Sequence, residues 1–481
     1  MIPDEPGCES LKKKFTITSD IFDNKYLTML MDFAVFISPA KTKDEQSIRE
    51  ADRKLIAEGR LGEPIKKPSA NLSGRLDRDK ILTATTLFGD RPRVTERDIK
   101  LIADAGFDFI INGNSGEYAE QIFDWCEKYG LAAIGGEIHE FVSKNNLDIS
   151  SANEEENIFS GFTPHPASVG DSLFDEPHTE NFGKVAKFHR IYEKFLPGRF
   201  AFSNLFPAGA VKSQLGAKSY REYVDRFAAA VSADYISADI YPFHPAKIIN
   251  YFEMMICLET YHQVSETCRR EGRDFWLYIQ TQMRWFSHLY TYTTFEMIKW
   301  QYYASIAYGC RSIINASYNP VWGNDAIGII DYNGNLTEQY LYVKRVNSEI
   351  VKLSPVIKDY RSLGVCLFKG KKSNPHFALA LPKQNANNKR AGFSGIESVR
   401  SIESESTVLA GYFANTEGKN ALMIVNCRNI YDPYASQKVT IRLNKKTAVS
   451  IYEHGELTRT EDTDVLTVQP GSCDGIFITL A

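Results

Sequence analysis

The segment Asp171–Phe182 reads DSLFDEPHTENF and passes from a strand pattern to a helix pattern. Its first residues alternate as a strand does, and two adjacent acids followed by Pro177 end the run. Proline removes a donor from the ladder of hydrogen bonds, so the strand stops there, and a helical pattern begins near Asn181. The segment therefore predicts one strand-to-helix unit, with Asp175 and Glu176 at the carboxyl end of its strand.

The same unit recurs along the chain from about residue 80 to residue 360. Short apolar runs alternate there with amphipathic stretches, which is typical of a parallel sheet covered by helices. Eight strands are predicted, at residues 80–87, 107–113, 131–137, 171–177, 200–207, 234–242, 274–282 and 312–318. Helices are predicted between and after them, at residues 95–104, 117–128, 182–195, 219–231, 248–270, 295–307 and 337–359. Eight such units predict a (β/α)8 TIM barrel, whose active site lies at the carboxyl ends of the strands.

An open doubly wound sheet is the competing architecture for such a chain. That fold carries a glycine-rich phosphate loop after its first strand. The stretch LFGDRPR at the end of the first predicted strand has a single glycine. The barrel is therefore the favoured fold.

The regions on either side of the barrel, which we place at residues 77–360, have different patterns. Residues 1–76 contain the apolar run MDFAVFI and a helical pattern in DEQSIREADRKLIAEG, and we expect an extension packed on the barrel. Over residues 361–481 alternating runs replace the helical period, which predicts an antiparallel β-sandwich domain. The polar segment Lys383–Ser406 is expected to be a long mobile loop.

The balance of charge argues against one class of partner. The 481 residues include 56 Lys and Arg against 60 Asp and Glu, for a net charge of −4, and the basic residues form no stripe. Nucleic acid is therefore not expected as the main partner, and a small or neutral ligand is favoured. The first residues, MIPDEPGCESLKKKF, lack a signal-peptide core, and no early apolar run is long enough to span a bilayer. We expect a soluble, cytoplasmic protein with no membrane partner.

The cysteines and histidines give no sign of a metal site. The eight cysteines are scattered, without a Cys-x-x-Cys pair or a Cys/His cluster, so we expect packed, reduced thiols rather than disulfides or zinc. His178 and His244 lack the spacing of metal ligands, and no HExxH or paired aspartate motif is present. No catalytic metal and no cofactor are predicted.

The two acids that end the fourth strand face different sides. Regular alternation puts Glu176 on the face that includes Ser172, and Asp175 on the opposite face, so one acid points into the barrel mouth. Glu176 at the rim is the candidate general acid, since an apolar, aromatic-rich wall would keep its carboxyl protonated. The alternative is that the run DEP is only a strand-ending turn with solvated acids.

Several runs of the chain resemble a known family: HPASVGDSLFDEP, FSNLFP, ADYISADIYPF, FWLYIQTQMRW and WQYYASIAYGCRSIINASYNP. They resemble the barrel domain of bacterial glycoside hydrolases that are distantly similar to the family 42 β-galactosidases. The resemblance covers residues 80–360 and extends to the β-sandwich. In that superfamily an Asn-Glu-Pro or similar motif on strand four supplies the acid, which implies this role for Glu176. A glutamate that ends strand seven supplies the nucleophile, but this chain has Gln280 there.

The sixth predicted strand offers a second carboxylate. In DYISADIYP, alternation turns Ile236, Ala238 and Ile240 toward the helices. Asp239 and Tyr241 therefore point into the barrel near its rim. A structural alternative is that Asp239 only hydrogen-bonds a neighbouring strand or turn.

Two further acids are weaker candidates for the second catalytic carboxylate. Glu296 lies in the first turn of the seventh helix, where acids commonly interact with the helix dipole. Glu137 ends the third predicted strand and is also within reach of the pocket. We keep both as candidates for contact with a substrate.

Other residues after the predicted strands suit the binding of a sugar. Pyranose rings present apolar faces and many hydroxyls, so their sites combine aromatic platforms with amide and carboxylate groups. Candidates of these types are Asn114, His178, Asn204, Tyr241, Gln280, Gln282, Trp285, Tyr318 and Trp322.

We therefore expect a glycoside hydrolase that acts on small oligosaccharides or glycosides. Gln280 cannot be a nucleophile, and strands four and six lie about 9 to 10 Å apart, so Asp239 would act as base on a water and invert the anomeric centre. Two alternatives stay open: a carbohydrate-binding barrel that has lost catalysis, and a barrel lyase or isomerase. The sequence leaves open the sugar, the linkage and whether the chain forms a homo-oligomer.

Overall fold

The computed structural model describes residues 15–18, 28–31, 43–67, 76–88, 92–243, 247–286, 289–291, 293–321, 326–373 and 395–481. The chain begins there with the antiparallel strands β1 (Phe15–Thr18) and β2 (Thr28–Met31) and the helix α1 (Lys43–Ala57). Helix α1 packs on a helix near the end of the barrel, where the Arg49 Nε donates to Glu338 Oε1 at 2.8 Å. The helix predicted in the extension is therefore present and lies on the barrel.

Eight parallel strands form a closed barrel, as the sequence predicts. Each strand pairs with the next along the chain, and the last pairs with the first, so the sheet has no free edge. The strands are β3 (Leu82–Leu87), β4 (Phe109–Asn112), β5 (Ala132–Gly135), β6 (Ser168–Asp175), β7 (Phe200–Leu205), β8 (Tyr235–Asp239), β9 (Asp274–Gln280) and β12 (Cys310–Ala316). Three short strands form a separate antiparallel sheet: β10 (Met283–Phe286), β11 (Leu289–Thr291) and β13 (Ala326–Ile327).

Helices follow the barrel strands and cover their outer faces. They are α2 (Glu96–Asp104), α3 (Gly116–Lys128), α4 (Glu137–Lys144), α5 (Phe182–Phe195), α6 (Lys212–Leu215), α7 (Tyr220–Ala230), α8 (Lys247–Glu271), α9 (Phe295–Ala307) and α10 (Glu338–Ile357). The bounds of α5 and α9 are those predicted from the sequence. Capping explains where several begin, since the side chain of Ser219 accepts from the Glu222 amide and that of Thr294 from the Met297 amide.

Aromatic side chains fill the barrel below its mouth. Trp276 is fully buried, and its ring lies 4.5 Å from that of Tyr235 and 5.1 Å from that of Phe200. Such stacked rings exclude water from the interior, as the layered side chains of this fold do. A ligand therefore reaches the inward-facing side chains only at the end of the barrel.

The C-terminal part forms a separate antiparallel sheet, as predicted. Its strands are β14 (Arg361–Phe368), β15 (Val399–Ser404), β16 (Val408–Ala414), β17 (Asn420–Asn426), β18 (Val439–Glu453), β19 (Glu456–Val468) and β20 (Gly475–Leu480). Along β16, alternate residues serve two cores: Ala410 and Tyr412 lie in the core of this domain, and Leu409 and Phe413 lie in the core shared with the barrel. Burial of both faces explains why this strand is apolar throughout.

One expectation for this domain was wrong in part. Residues 399–404, placed in a mobile loop from the sequence, form β15, which pairs with β18. The reason is alternation within a polar segment, since Ile402 enters the core of the domain while Glu403 beside it is exposed. Residues 383–394 lie outside the described part of the chain.

The two domains meet along helix α9. The Trp300 Nε1 donates to Cys427 Sγ at 3.4 Å, and Lys299 and Asp474, both largely buried, form an ion pair at 2.5 Å. Gly411 of β16 passes so close to α9 that a Cβ atom there would lie 2.2 Å from the carbonyl oxygen of Ala307. The sheet therefore packs directly on a barrel helix.

Two broader expectations concern the cysteines and the membrane. The seven cysteines in the described ranges are free and buried, as packed thiols are, and Cys8 lies outside those ranges. Across the same ranges, none of the helices has both the length and the apolar character needed to cross a bilayer.

The close packing at Gly411 predicts the effect of a single methyl group. Gly411→Ala should lower the free energy of unfolding by about 1–3 kcal/mol, because the Ala307 carbonyl belongs to the helix backbone and cannot turn aside. Chemical denaturation would measure the change.

Gly183→Ala is the matched control. Gly183 lies in α5, and a Cβ there meets nothing within 4 Å. Alanine favours helix by up to about 1 kcal/mol over glycine, so this variant should be unchanged or more stable. Equal stability of the two alanine variants would contradict the packing described for Gly411.

Candidate active site

The end of β6 does not follow the regular alternation expected from the sequence. Ser172 pairs with Phe202 of the barrel interior, but the register then shifts, and Asp175 pairs with the inward-facing Asn204. Leu173 and Phe174 both turn outward across this irregularity, where Leu173 joins the core between β6 and the helices. The expectation that Asp175 faces away from the barrel interior was therefore wrong, because a bulge adds one residue to the strand.

Glu176 reaches the same mouth by a different route. Its backbone has φ 46°, in the left-handed region that few residues other than glycine adopt. Its amide is fixed by a hydrogen bond of 2.8 Å to the Asn204 carbonyl. In this conformation the Glu176 carboxyl hydrogen-bonds that of Asp239. The adjacent acids Asp175 and Glu176 thus both contribute to the site. The left-handed backbone of Glu176 is strained, and strained residues of this kind cluster at functional sites.

Asp239 lies where alternation along the sixth strand predicts. Its partner in the parallel register of β8 and β9 is Tyr278, whose side chain belongs to the interior cluster, while Ile236 and Ala238 face the helices. The Asp239 Oδ1 is buried and has no hydrogen-bond donor. A buried carboxylate oxygen without a donor is costly, so this atom favours either a proton or a ligand that donates to it.

Asn204 connects the acids of strands β6 and β8. The Asn204 Oδ1 accepts from Ser237 Oγ at 2.9 Å, which turns the Nδ2 group toward the carboxyls. That group donates to Asp175 Oδ1 at 3.4 Å and also hydrogen-bonds the Asp239 side chain. Asn204 is buried, at 4% exposure, so it holds the two aspartates rather than lining the surface.

Burial controls the protonation of these carboxyls. Burial, and then the charge of Asp175, raises the pKa of Glu176 to about 7, although its hydrogen bond with Asp239 opposes the change. Burial, followed by the charges of Glu176 and Asp175, holds the pKa of Asp239 well above its ordinary value. Two carboxyls in direct contact cannot both ionise easily. The Glu176–Asp239 pair therefore retains a proton near neutral pH and titrates as a unit.

The three carboxyls lie at the open end of the barrel, where the strands end, and this end is called the cleft below. Asp175 is exposed to solvent, yet surrounding protein raises its pKa through desolvation, a combination expected on the wall of a cleft. Tyr241 is half-buried beside the acids, and burial followed by the charge of Asp239 raises its pKa. Tyr278 is 6% exposed. The cleft thus joins three carboxyls with aromatic rings, a combination that suits a hydroxylated ligand.

Gln280 has a structural place instead of a position in the cleft. Its Oε1 accepts from the Phe243 amide at 2.7 Å, and its Nε2 donates to the Phe243 carbonyl at 3.0 Å. Its side chain is fully buried. Both ends of the amide are therefore used to fix the loop after β8, and Gln280 is not free to bind a sugar hydroxyl as we had expected.

The remaining amide and tryptophan candidates after strands seven and eight are three. Gln282 is fully buried, and neither polar atom of its side chain has a hydrogen-bond partner. Trp285 lies in β10, but its side chain is outside the described part of the structure. Trp322 lies outside the described residues altogether.

The two alternative acids lie away from the cluster of carboxyls. Glu137 Oε1 accepts from the His165 amide at 3.1 Å, and its other oxygen faces Arg199, in the layer between β6 and the helices. Burial raises the pKa of Glu296, whose charged neighbours are Lys299 and Asp474 at the boundary with the C-terminal domain. Neither acid is brought to the mouth beside Glu176, because each begins a helix that turns its side chain outward.

Three other candidates have partners of their own. The Tyr318 hydroxyl donates to Asp98 on α2 at 2.9 Å, and the residue is fully buried. The His178 Nδ1 accepts from the Glu180 amide at 3.2 Å, so it caps the turn before α5. The Asn114 side chain donates to Asn112 Oδ1 at 2.9 Å. These contacts give each of the three polar side chains a partner within the protein.

Sequence reasoning missed two members of the cleft. Asp175 was set aside because a bulge cannot be read from alternation alone, although the adjacent acids were a signal. Tyr278 was not among the candidates, yet its register opposite Asp239 places it next to the carboxyls. Within the described ranges, no group of three or more His, Cys, Asp or Glu side chains has an arrangement that could hold a metal ion.

No protein-family model matches the sequence, and no curated protein matches it either. Solved structures match this chain at low identity. One described as a glycoside hydrolase is 10% identical, covers 88% of this chain and 97% of its own, and has a TM-score of 0.49. A glucosidase from Croceicoccus marinus is also 10% identical. It covers 87% of this chain and 97% of its own, and has a TM-score of 0.40. A family 5 glycoside hydrolase from Bacteroides vulgatus is 9% identical. It covers 88% of this chain and 94% of its own, and has a TM-score of 0.39. The function of this chain therefore rests on its own residues.

The raised pKa of Glu176 predicts how stability depends on pH. The folded protein binds this proton more tightly than the unfolded chain, so its contribution to stability is complete below about 4.5 and is lost as the pH rises through about 7. Glu176→Gln cannot ionise and escapes this loss. The variant should be more stable than the wild type at pH 8, by on the order of 1 kcal/mol, and equal to it near pH 4.

Denaturant unfolding at several pH values would measure this difference. Glu120→Gln is the matched control, because Glu120 is exposed on α3, and it should track the wild type throughout. A Glu176→Gln variant that is less stable than the wild type at pH 8 would mean that the carboxylate is stabilising and would contradict the burial argument.

Proposed function

We propose that the protein is a glycoside hydrolase, with Glu176 and Asp239 as its catalytic carboxyls. The observation that carries the proposal is their direct hydrogen bond at the carboxyl ends of β6 and β8, with the pKa of Glu176 raised to about 7. Cleavage of a glycosidic bond needs one carboxyl that is protonated and one that is ionised at the same pH. The pair retains one proton near neutral pH, and the proposed roles require that this proton lie on Glu176, and not on Asp239, when substrate is bound.

Glu176 is the proposed proton donor to the leaving oxygen. It lies at the rim, where it is half-buried and accessible from the cleft. A pKa near the working pH suits both the loss and the recovery of a proton in each cycle. Asp239 is more deeply enclosed, and its hydrogen bonds with Asn204 and Glu176 fix its orientation.

The second role is proposed for Asp239, as the base that activates water. Inversion requires carboxyls about 6.5 to 9.5 Å apart, whereas Glu176 and Asp239 are in hydrogen-bond contact. The water-sized gap expected from strand spacing is therefore not present between them. On this proposal a sugar that binds between the carboxyls turns Glu176 away, breaks the contact and lets Asp239 ionise against water.

The substrate class is proposed from the chemistry of the cleft. Tyr241 and Tyr278 offer aromatic surface next to the carboxyls, which suits the apolar face of a pyranose ring. Asp175 is exposed in the same cleft and accepts hydrogen bonds, which suits sugar hydroxyls. The proposal is a small oligosaccharide or glycoside, cleaved without a cofactor.

Glu176→Gln tests the role of proton donor. Turnover of substrates with poor leaving groups should fall by about 10²- to 10⁴-fold, because the amide cannot supply a proton. Activated aryl glycosides, whose leaving groups need little protonation, should lose much less. A screen of aryl glycosides and natural oligosaccharides would first identify a substrate, and steady-state kinetics would then compare the variants.

Glu120→Gln again serves as the exposed control and should turn over substrate as the wild type does. In the wild type, kcat/KM should fall above about pH 7 as Glu176 loses its proton, and this decline should disappear in Glu176→Gln. Unchanged turnover of a natural oligosaccharide by the variant would remove Glu176 from the mechanism. Saccharide binding without turnover by the wild type would favour a carbohydrate-binding barrel.

The configuration of the product tests the second role. With Asp239 as base, the first product seen by NMR should have an inverted anomeric centre, and Asp239→Asn should abolish hydrolysis even of activated substrates. A retained configuration would contradict the proposal. Full activity in Asp239→Asn together with loss in Asp175→Asn would transfer the second role to Asp175, the carboxylate most exposed to the cleft.

A further inference from the structure

A second cavity lies at the opposite end of the barrel from Glu176. It has a volume of about 310 Å³ and is lined by residues from the last turns of α8 and the first residues of β9 and β12. Strand β14 and Phe413 of the C-terminal domain complete its wall. The cavity therefore lies at the junction of the two domains, and its size is at the lower end of the range, about 300–1,000 Å³, that binds small molecules.

Arginines dominate the charge of this cavity. Arg269, Arg273 and Arg311 line it from the barrel, and Arg361 lines it from the C-terminal domain. Arg273 donates to the backbone carbonyls of Val231 and Ala228, so Arg269, Arg311 and Arg361 are the three considered for a ligand. In the described part of the chain none of the three forms an ion pair with a carboxylate. The acid in the lining, Asp274, is already held by Arg78 at 2.7 Å. The cavity is thus lined by more cationic groups than anionic ones, and its acid, Asp274, is paired with Arg78.

The hydrogen bonds of these arginines leave donors unused. Arg269 donates to Ser265 Oγ at 3.1 Å, Arg361 donates to the Lys358 carbonyl at 2.6 Å, and the Arg311 Nη2 donates to the Tyr360 carbonyl. A guanidinium group carries five N–H donors, so each retains several for a ligand. The Ser362 hydroxyl also lines the cavity, and its oxygen is buried without a hydrogen-bond partner.

Electrostatics adds to this geometry. Arg311 is 7% exposed, and burial together with the charge of Arg361 lowers its pKa to about 10. Burial also lowers the pKa of Arg269. Buried charges of one sign repel one another and lose hydration, and an anion between them would relieve both costs.

We propose that this cavity binds a small molecule that carries a phosphate group, held by Arg269, Arg311, Arg361 and the Ser362 hydroxyl. A carboxylate offers two oxygens, whereas a phosphate monoester offers three and nearly two negative charges, which matches three arginines better. Phe275, Tyr360 and Phe413 form the apolar part of the wall and would contact the organic part of the ligand. This site is separate from the carboxyl cleft and does not depend on the proposed glycosidase activity.

Calorimetry on the full-length protein tests the proposal directly. Inorganic phosphate and glycerol 3-phosphate should each bind saturably at one site per chain, with chloride used to hold the ionic strength constant. Because the ligand contacts both domains, phosphate should also raise the Tm relative to chloride. Arg269→Gln and Arg361→Gln should each weaken binding at least about tenfold, since each removes charged hydrogen bonds.

Arg221→Gln is the matched control. Arg221 lies on α7 and pairs with Glu266, so this variant should bind phosphate as the wild type does. Arg361 is exposed enough that its replacement should not disturb folding, and circular dichroism would check this. The proposal is overturned if phosphate gives no saturable binding, if binding survives in both cavity variants, or if citrate binds and the phosphate compounds do not.

Discussion

The pairing of β12 with β3 closes the barrel, and the candidate site depends on this closure. The register of the two strands runs from Ser312 opposite Leu82 to Asn315 opposite Thr85. A closed parallel sheet leaves no free edge and points the carboxyl ends of all its strands to one mouth. Residues far apart in sequence, such as Glu176 and Asp239, therefore come into hydrogen-bond contact. Without closure the two strands could splay, and water would reach the acids from the side.

Desolvation decides the chemistry of that mouth. Helices that follow the strands direct their positive ends toward the acids, and such an interaction is worth about 0.3–1 kcal/mol in favour of the ionised form. Yet the pKa of Glu176 rises from 4.5 to about 7, so burial and the nearby charge of Asp175 outweigh it. A strained backbone at Glu176 and an unpartnered oxygen on Asp239 add to the cost of the arrangement. Such costs collect where a site is arranged for a ligand rather than for stability.

Much of the fold could be predicted from the sequence, because its signals are local. Each of the eight barrel strands begins and ends within about three residues of its predicted bounds, because a buried strand must be apolar over its length. Asp239 was placed correctly for the same reason, because β8 keeps strict alternation from Tyr235 onward. Where the pattern has one period and no irregularity, the direction of a side chain follows from its position.

The remaining parts of the site depend on interactions that no local pattern contains. The shift in register after Ser172 arises from packing of Leu173 and Phe174 against α5 and its neighbours, and it reverses the expected direction of Asp175. The side-chain amide of Gln280 was expected in the cleft. It instead accepts a hydrogen bond from the backbone amide of Phe243, in the loop after β8. Each of these outcomes is decided by a partner distant in sequence.

Helix ends explain why arginines gather at the base of the barrel. Strands lead into helices at the mouth, so helix amino termini lie there, and helix carboxyl termini lie at the other end. At that end acids such as Asp274 are paired with cations, and Arg273 donates to the carbonyls of Ala228 and Val231 at the end of α7. Unpaired carbonyls at helix ends need such donors. The fold therefore requires cations at its base for structural reasons, and those that exceed the carbonyls available, such as Arg269, leave positive charge for an external anion.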